Sequence, residues 1–258
     1  MTRNVRASVP FCMLLSAVLS ALPAAHATES GQQVISEAGR NGQFALIMFY
    51  RGNDAATGNM YGVLKSTLAA RQDAVVVPVQ VGDRTQQALV KQFDATRLPL
   101  PAVAVLAPNG AVCSVFPRQV TNKQLAASFV SRGQAKCLKA LQEKKLVLLC
   151  VQPKASAAVP AGVQEFVQDK LFSNRTEIVM VSSSDPVEAK FLRQLRVSTD
   201  QPSQTVAFMA PPGVMLGTFD ANVSLDVLAQ KLAAAGKCCD DKNCRHHRAT
   251  TGRRSTRR

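Results

Sequence analysis

The chain contains no tryptophan and two tyrosines, and aromatic residues make up 5% of it. Basic residues without interleaved aromatics give bases nothing to stack on, which argues against nucleic acid as a partner. Histidine is nearly missing too, with three in all, of which His246 and His247 sit near the C-terminus and His26 near the start. A Ser-His-Asp or Cys-His site therefore has no imidazole base in the body of the chain. No glycine-rich loop ends in Gly-Lys-Ser/Thr, so a phosphate-cradling loop of that kind is excluded. Carboxylates are sparse, 17 Asp and Glu against 31 Lys and Arg, and spacing alone does not show whether two converge. Beyond the N-terminal segment no apolar run is long enough to span a bilayer.

The N-terminal segment itself reads as a secretory signal over residues 1–27. Arg3 and Arg6 supply its positive end, Phe11 to Leu22 its apolar stretch, and Ala25-His26-Ala27 a small-x-small cleavage site. The expected location is periplasmic or secreted. Six cysteines follow the signal: Cys113, Cys137, Cys150, Cys238, Cys239 and Cys244. An oxidising compartment permits them to pair, without fixing the connectivity. The net charge is +14, and the stretch 237–258 holds eight Lys or Arg against Asp240 and Asp241. Such a basic end suits an anionic surface; a solvated tail is the plainer alternative.

The main organising feature is a repeat. Val75-Val76-Val77-Pro78-Val79 answers to Glu177-Ile178-Val179-Met180-Val181, Asp83 to Asp185 and Gln92 to Gln194, 102 positions apart (185−83, 194−92). Val103-Ala104 answers to Val206-Ala207, Gly110 to Gly213 and Leu125 to Leu228, 103 positions apart (206−103, 228−125). A unit of this length matches one small domain and not a solenoid repeat. Four segments follow: signal 1–27, first domain 28–140, second domain 141–237 and a basic Cys/His-containing tail 238–258.

Within each copy the hydropathy pattern predicts strand, helix, strand, helix, two strands, helix. Phe44 to Tyr50 and Leu146 to Val151 are continuous apolar runs, which predicts strands buried on both faces. Helices are expected over 59–71 and 161–171, and strands over 74–81, 102–106, 177–182 and 205–209. Asp83-Arg-Thr-Gln86 and Asp185-Pro-Val-Glu188 have the spacing of a capping box, and so does Thr121-Asn-Lys-Gln124. Pro-Asn-Gly and Pro-Pro-Gly predict the hairpin turns, and residues 131–144 are taken as the junction. The fold class is α/β, each copy a mixed central sheet flanked by helices.

This order, together with Leu98-Pro99-Leu100-Pro101-Ala102-Val103-Ala104-Val105-Leu106-Ala107-Pro108-Asn109-Gly110, resembles the thioredoxin-like family. The resemblance covers both copies and implies two tandem thioredoxin-like domains. It places Pro101 at the family's cis-proline; the aligned position of copy two is Gln204. It also places the two redox cysteines of the family near Asn53 and Ala56, and near Ala155 and Ala158, and none of these is cysteine. Thiol–disulfide exchange there has no nucleophile. What the resemblance then implies is a non-catalytic module with no cofactor, whose surface at Asn53, Asp54, Leu100 and Pro101 meets an exported protein or peptide.

The cysteines keep other readings open. Cys150 lies in an apolar strand and reads as a small core residue. In this fold Cys113 and Cys137 fall on elements able to approach each other, as a disulfide or as two separately buried thiols. Cys238, Cys239, Cys244, His246 and His247 offer sulfur and nitrogen donors suited to Zn²⁺ or Cu⁺, with a disulfide or a reactive-thiol tail as alternatives. The alternative function is therefore a metal-binding or thiol-redox protein acting through that tail.

Overall fold

The computed structural model describes residues 30–69, 71–153, 158–197 and 204–236. The first sheet contains β1 (Phe44–Tyr50), β2 (Ala74–Gln80), β3 (Ala102–Leu106) and β4 (Val112–Pro117), in the order β2-β1-β3-β4. The second contains β5 (Leu146–Gln152), β6 (Thr176–Ser182), β7 (Thr205–Ala210) and β8 (Val214–Asp220), in the order β6-β5-β7-β8. In each, the first two strands are parallel, and the third runs antiparallel to both the first and the fourth. That order and those senses are the arrangement the thioredoxin-like resemblance implies, and the chain folds as two tandem thioredoxin-like α/β domains.

The helices are α1 (Gly31–Arg40), α2 (Ala55–Leu68), α3 (Gln87–Gln92), α4 (Asn122–Ala127), α5 (Arg132–Gln142), α6 (Ala161–Gln168), α7 (Ala189–Gln194) and α8 (Leu225–Gly236). Successive side chains of a strand face opposite ways. Leu46 and Met48 accordingly join Met60, Leu64 and Leu125 on one face of the first sheet. Ala45, Ile47 and Phe49 join Leu89 and Val90 on the other. The second sheet repeats this, with Leu149 and Val151 against Phe191 and Leu192, and Leu148 and Cys150 against Phe166, Phe208 and Leu228. Each such side chain contributes about 1.5–3 kcal/mol on burial, so four apolar layers hold the two sheets.

The repeat extends to the backbone. Gly42 and Lys144 both have positive φ, 71° and 63°, and so do Asp94 and Arg196, 46° and 56°. Both pairs are 102 positions apart (144−42, 196−94). Lysine and arginine accept a left-handed turn at a cost, so the turn geometry persists where the favourable residue does not.

Three expectations change. Residues 131–144 are not a linker: they hold α5, which begins at the cap Ser131 and packs Cys137, Ala140 and Leu141 into the second domain's core. A boundary after residue 140 would cut through it. Its counterpart α1 is capped by a full box of Ser30 and Gln33. Helix α2 starts at Ala55, earlier than residue 59, because Asp54 caps it. Finally, Thr121 and Gln124 form the expected box, but Gln86 and Glu188 do not turn back to their own caps. Gln86 Oε1 accepts from Gly31 N at 3.2 Å, and Glu188 Oε1 from Gly133 N at 2.8 Å. In each domain the third helix thus satisfies a free N–H of the first, an orphan donor that every helix start carries. Among the described residues no helix is long and apolar enough to cross a membrane.

Candidate functional site

Strand β1 ends at Tyr50, and a short exposed loop leads to Asp54. The Asp54 carboxylate accepts from Thr57 N at 2.7 Å and so starts α2. Hydrogen bonds from Thr57, its backbone N–H first, hold the Asp54 carboxyl below its ordinary value. Asp54, Thr57, Gly58 and Tyr61 follow at helical spacing and share one face of α2. With Met48, Tyr50, Asn53 and Pro78 they line a cavity of about 330 Å³. Pro78 reaches it because β2 is an edge strand, where a missing N–H is tolerated, and it pairs with Met48. Met48 is buried at the floor, and Tyr61 is 41% exposed at the mouth. Both tyrosines of the chain line this one cavity.

The four residues expected to meet a partner lie at one edge of the first sheet. Asn53 and Asp54 form part of the cavity wall. Leu100 and Pro101 do not line it; they lead into β3, whose Ala102 pairs with Phe49, and so fall beside the end of β1. The Leu100–Pro101 peptide is cis, and Pro101 O accepts from Arg118 N at 2.7 Å. Leu100 packs against the core layer that holds Leu89 and Val90. Tyr61, Pro78 and Gly58 went unnoticed in the sequence. The available signal was the coincidence of the two tyrosines with Asp54 and Thr57 at one helical pitch.

Among the described residues no thiol lies at this edge. Cys113 packs against the first domain's core and Cys137 lies inside the second domain's. Both are free, as is Cys150, so of the two readings of Cys113 and Cys137 the separate thiols are found and the bridge is not. The physical reason is that α5 turns Cys137 toward β5 and β6, away from β4. Burial pushes the Cys113 thiol up to about 11, and Cys150 to about 12. Cys137 rises to about 12 through burial, with the Glu188 carboxylate adding to it. Neutral thiols of this kind are poor nucleophiles. Cys150 is fully buried, as its strand position suggested.

At the matching edge of copy two, residues 154–157, including Ala155, lie outside the described residues. The Ala158 carbonyl accepts from Gln152 Nε2 and Gln204 Nε2, both at 2.9 Å. Gln204 thus uses its side chain to hold the loop where copy one has its cis-proline. Cys238, Cys239, Cys244, His246 and His247 also lie outside the described residues. Among the described residues no three His, Cys, Asp or Glu are grouped as a metal site.

Neither a protein-family profile nor a curated protein matches the sequence. Among solved structures, the chain is similar to the first two thioredoxin domains of Saccharomyces cerevisiae Eps1p, at 13% identity and a TM-score of 0.30, over 74% of this chain and 89% of that one. It is similar to human ERp44 in its zinc-bound form at 11% identity and a TM-score of 0.32, over 76% of this chain and 56% of that one. It is also similar to the NTD_N/C domain of the alkylhydroperoxide reductase AhpF from Enterococcus faecalis, at 14% identity and a TM-score of 0.27, over 77% of this chain and 96% of that one. The strand order, not these likenesses, carries the fold.

Proposed function

We propose that the chain is an exported, non-catalytic tandem thioredoxin-like protein that binds a protein or peptide at the α2 edge of its first domain. The observation that carries this reading is the cavity under Tyr50 and Tyr61. By the resemblance it corresponds to the place where redox members of the family hold their cysteines, and its lining sets Met48, Tyr50, Tyr61 and Pro78 beside Asn53, Asp54 and Thr57. Aromatic walls with one wet end suit the capture of a proline or apolar side chain from an extended segment. Asn53 and Asp54 at the rim, with Leu100-Pro101 beside them, would flank that segment's backbone.

The two tyrosines make the test direct, since no tryptophan competes with their emission. An unfolded, proline-containing polypeptide free of Tyr and Trp should change the intrinsic fluorescence saturably. Gly58→Arg should abolish the change: Gly58 lines the cavity, and a Cβ there meets nothing within 4 Å, so the fold is spared. A signal unaltered by Gly58→Arg would defeat the assignment. The same protein should not reduce insulin; robust turnover would defeat its non-catalytic half.

The tail supports a second reading. Three cysteines and two histidines within residues 238–247 are a donor set for Zn²⁺ or Cu⁺. In native mass spectra, a metal-sized adduct that vanishes on truncation after Lys237 would favour it. A basic tail bound to anionic vesicles should release them as salt is raised.

A further inference from the structure

A second cavity, larger than the tyrosine-lined one, lies in a cleft of about 640 Å³ between the two domains. Its apolar lining includes Phe44 and Phe129 from the first domain and Phe191 from the second. Phe44 and Phe129 meet edge to face at 5.0 Å. The Arg71 guanidinium lies 3.8 Å over the Phe129 ring and is neutralised by Asp73. Three further cations line the cleft: Arg132, Lys136 and Lys190. None of these three makes a salt bridge among the described residues. Arg132 and Lys136 are both exposed and one helical turn apart on α5, a like-charge pair that repels. Asp73, the acidic residue in the lining, is already engaged by Arg71.

We infer that this cleft binds a small amphipathic carboxylate, its apolar body on the phenylalanine side chains and its anion held by Arg132 and Lys136, with Lys190 of α7, which donates to the Ala127 carbonyl, as a further cation of the lining. The volume lies within the range of about 300–1,000 Å³ found for small-molecule sites, which favour domain interfaces. Arg132 and Lys136 stand one helical turn apart on α5, a spacing that one compact anionic head can bridge. Arginine grips a carboxylate by two parallel N–H bonds. The start of α5 already donates to Glu188 through Ser131 Oγ and Gly133 N, so the ligand's anion is left to the side-chain cations. This site is separate from the tyrosine-lined cavity and uses none of its residues.

Octanoate is the probe, titrated into the full chain and followed by backbone amide shifts. Saturable shifts confined to the lining segments 42–44, 71–73, 108–109, 126–136 and 187–191 are expected. Arg132→Gln combined with Lys136→Gln should weaken binding about tenfold, the effect of losing charge-assisted contacts, while leaving the amide spectrum folded. Octylammonium, with the same chain and the opposite charge, should not bind. Equal binding of octylammonium, unchanged octanoate affinity in the double variant, or no saturation would each overturn the inference. Saturation by polyglutamate with none by octanoate would overturn it in favour of an acidic peptide.

Discussion

Replacing Glu188 by alanine tests the internal logic of the repeat. Glu188 is 5% exposed, and no salt bridge neutralises it among the described residues. Its carboxylate instead accepts from Ser131 Oγ at 2.5 Å and from Gly133 N at 2.8 Å, at the start of α5. Two hydrogen bonds to a charged group contribute about 1.5–3 kcal/mol each, and removing their acceptor leaves both donors unpaired. Glu188→Ala should therefore cost about 3–5 kcal/mol, a large share of the roughly 5–15 kcal/mol available to a typical domain. Gln86 is the equivalent residue in copy one, but it makes one neutral bond, at 3.2 Å in a half-buried setting. Gln86→Ala should cost about 0.5–1.5 kcal/mol. Glu188→Gln keeps an acceptor for Gly133 N but loses the charge at the helix start and the acceptor for the Ser131 hydroxyl, so about 1–3 kcal/mol is expected.

Urea unfolding separates the domains optically. Both tyrosines, Tyr50 and Tyr61, belong to the first domain, whereas far-UV circular dichroism follows both. Glu188→Ala should move the dichroism transition of the second domain while the tyrosine transition moves less; Gln86→Ala should shift the tyrosine signal by its smaller amount. Equal losses in the two variants, or a loss below about 1 kcal/mol for Glu188→Ala, would refute the account of Glu188 as the cap of a buried helix start.

Other consequences follow from the same geometry. Cys113, Cys137 and Cys150 should resist alkylation at pH 8 in the native protein and react on unfolding, as peptide mapping would show. Because burial raises these thiols from 9.0 to about 11 or 12, their neutral forms favour the fold below pH 9.0, and that contribution is lost as pH rises through the folded values. Urea midpoints at neutral and strongly alkaline pH would reveal the loss. Gly162→Ala should cost about 1–3 kcal/mol in thermal unfolding, since its Cβ would stand 2.0 Å from the Val223 carbonyl oxygen. Gly62→Ala, on α2 with nothing within 4 Å, should instead stabilise by about 0.4–1 kcal/mol. The depressed Asp54 carboxyl stabilises the fold above its ordinary 3.8, and this contribution is lost as pH falls through its lower folded value. Asp54→Ser, which caps without titrating, should flatten that part of the acid dependence of Tm.

The strands were legible because period and continuity of apolar residues are local signals. β3 runs over the expected residues, and the two continuous apolar runs became the central strands β1 and β5. The helix starts were legible only in part. Ser30-x-x-Gln33 and Ser131-x-x-Gln134 have the spacing of a cap, but no continuous apolar run beside them marks a helix. Asp83-x-x-Gln86 and Asp185-x-x-Glu188 show the opposite failure: the same spacing serves a contact to a different helix, 55 residues away in each copy. Spacing reports which residues can meet on one element and is silent about residues that meet across two. The tyrosine-lined cavity was hidden for that reason, since Pro78 reaches it only through the pairing of β2 with β1.

The two copies also diverge where function would require it. Core layers, left-handed turns and the helix-start contacts recur, but Tyr50, Tyr61, Pro78 and Pro101 are answered by Gln152, Val163, Met180 and Gln204. Copy one has the aromatic cavity, while copy two ties its equivalent edge shut through Gln152 and Gln204 at Ala158. Copy two contributes elsewhere, supplying α5 and α7 to the cleft with Phe44 and Phe129. The two cavities share no residue, so their occupancies should be separable. Gly58→Arg should abolish the tyrosine response to a polypeptide and leave octanoate affinity intact. The Arg132→Gln, Lys136→Gln pair should do the reverse. Distant sites without shared partners act additively within about 0.3–0.5 kcal/mol, so either variant should shift the other site's affinity by about twofold at most. A larger cross-effect would show that the domains move against each other when either cavity fills, and the picture of one binding domain beside one cleft-building domain would fall.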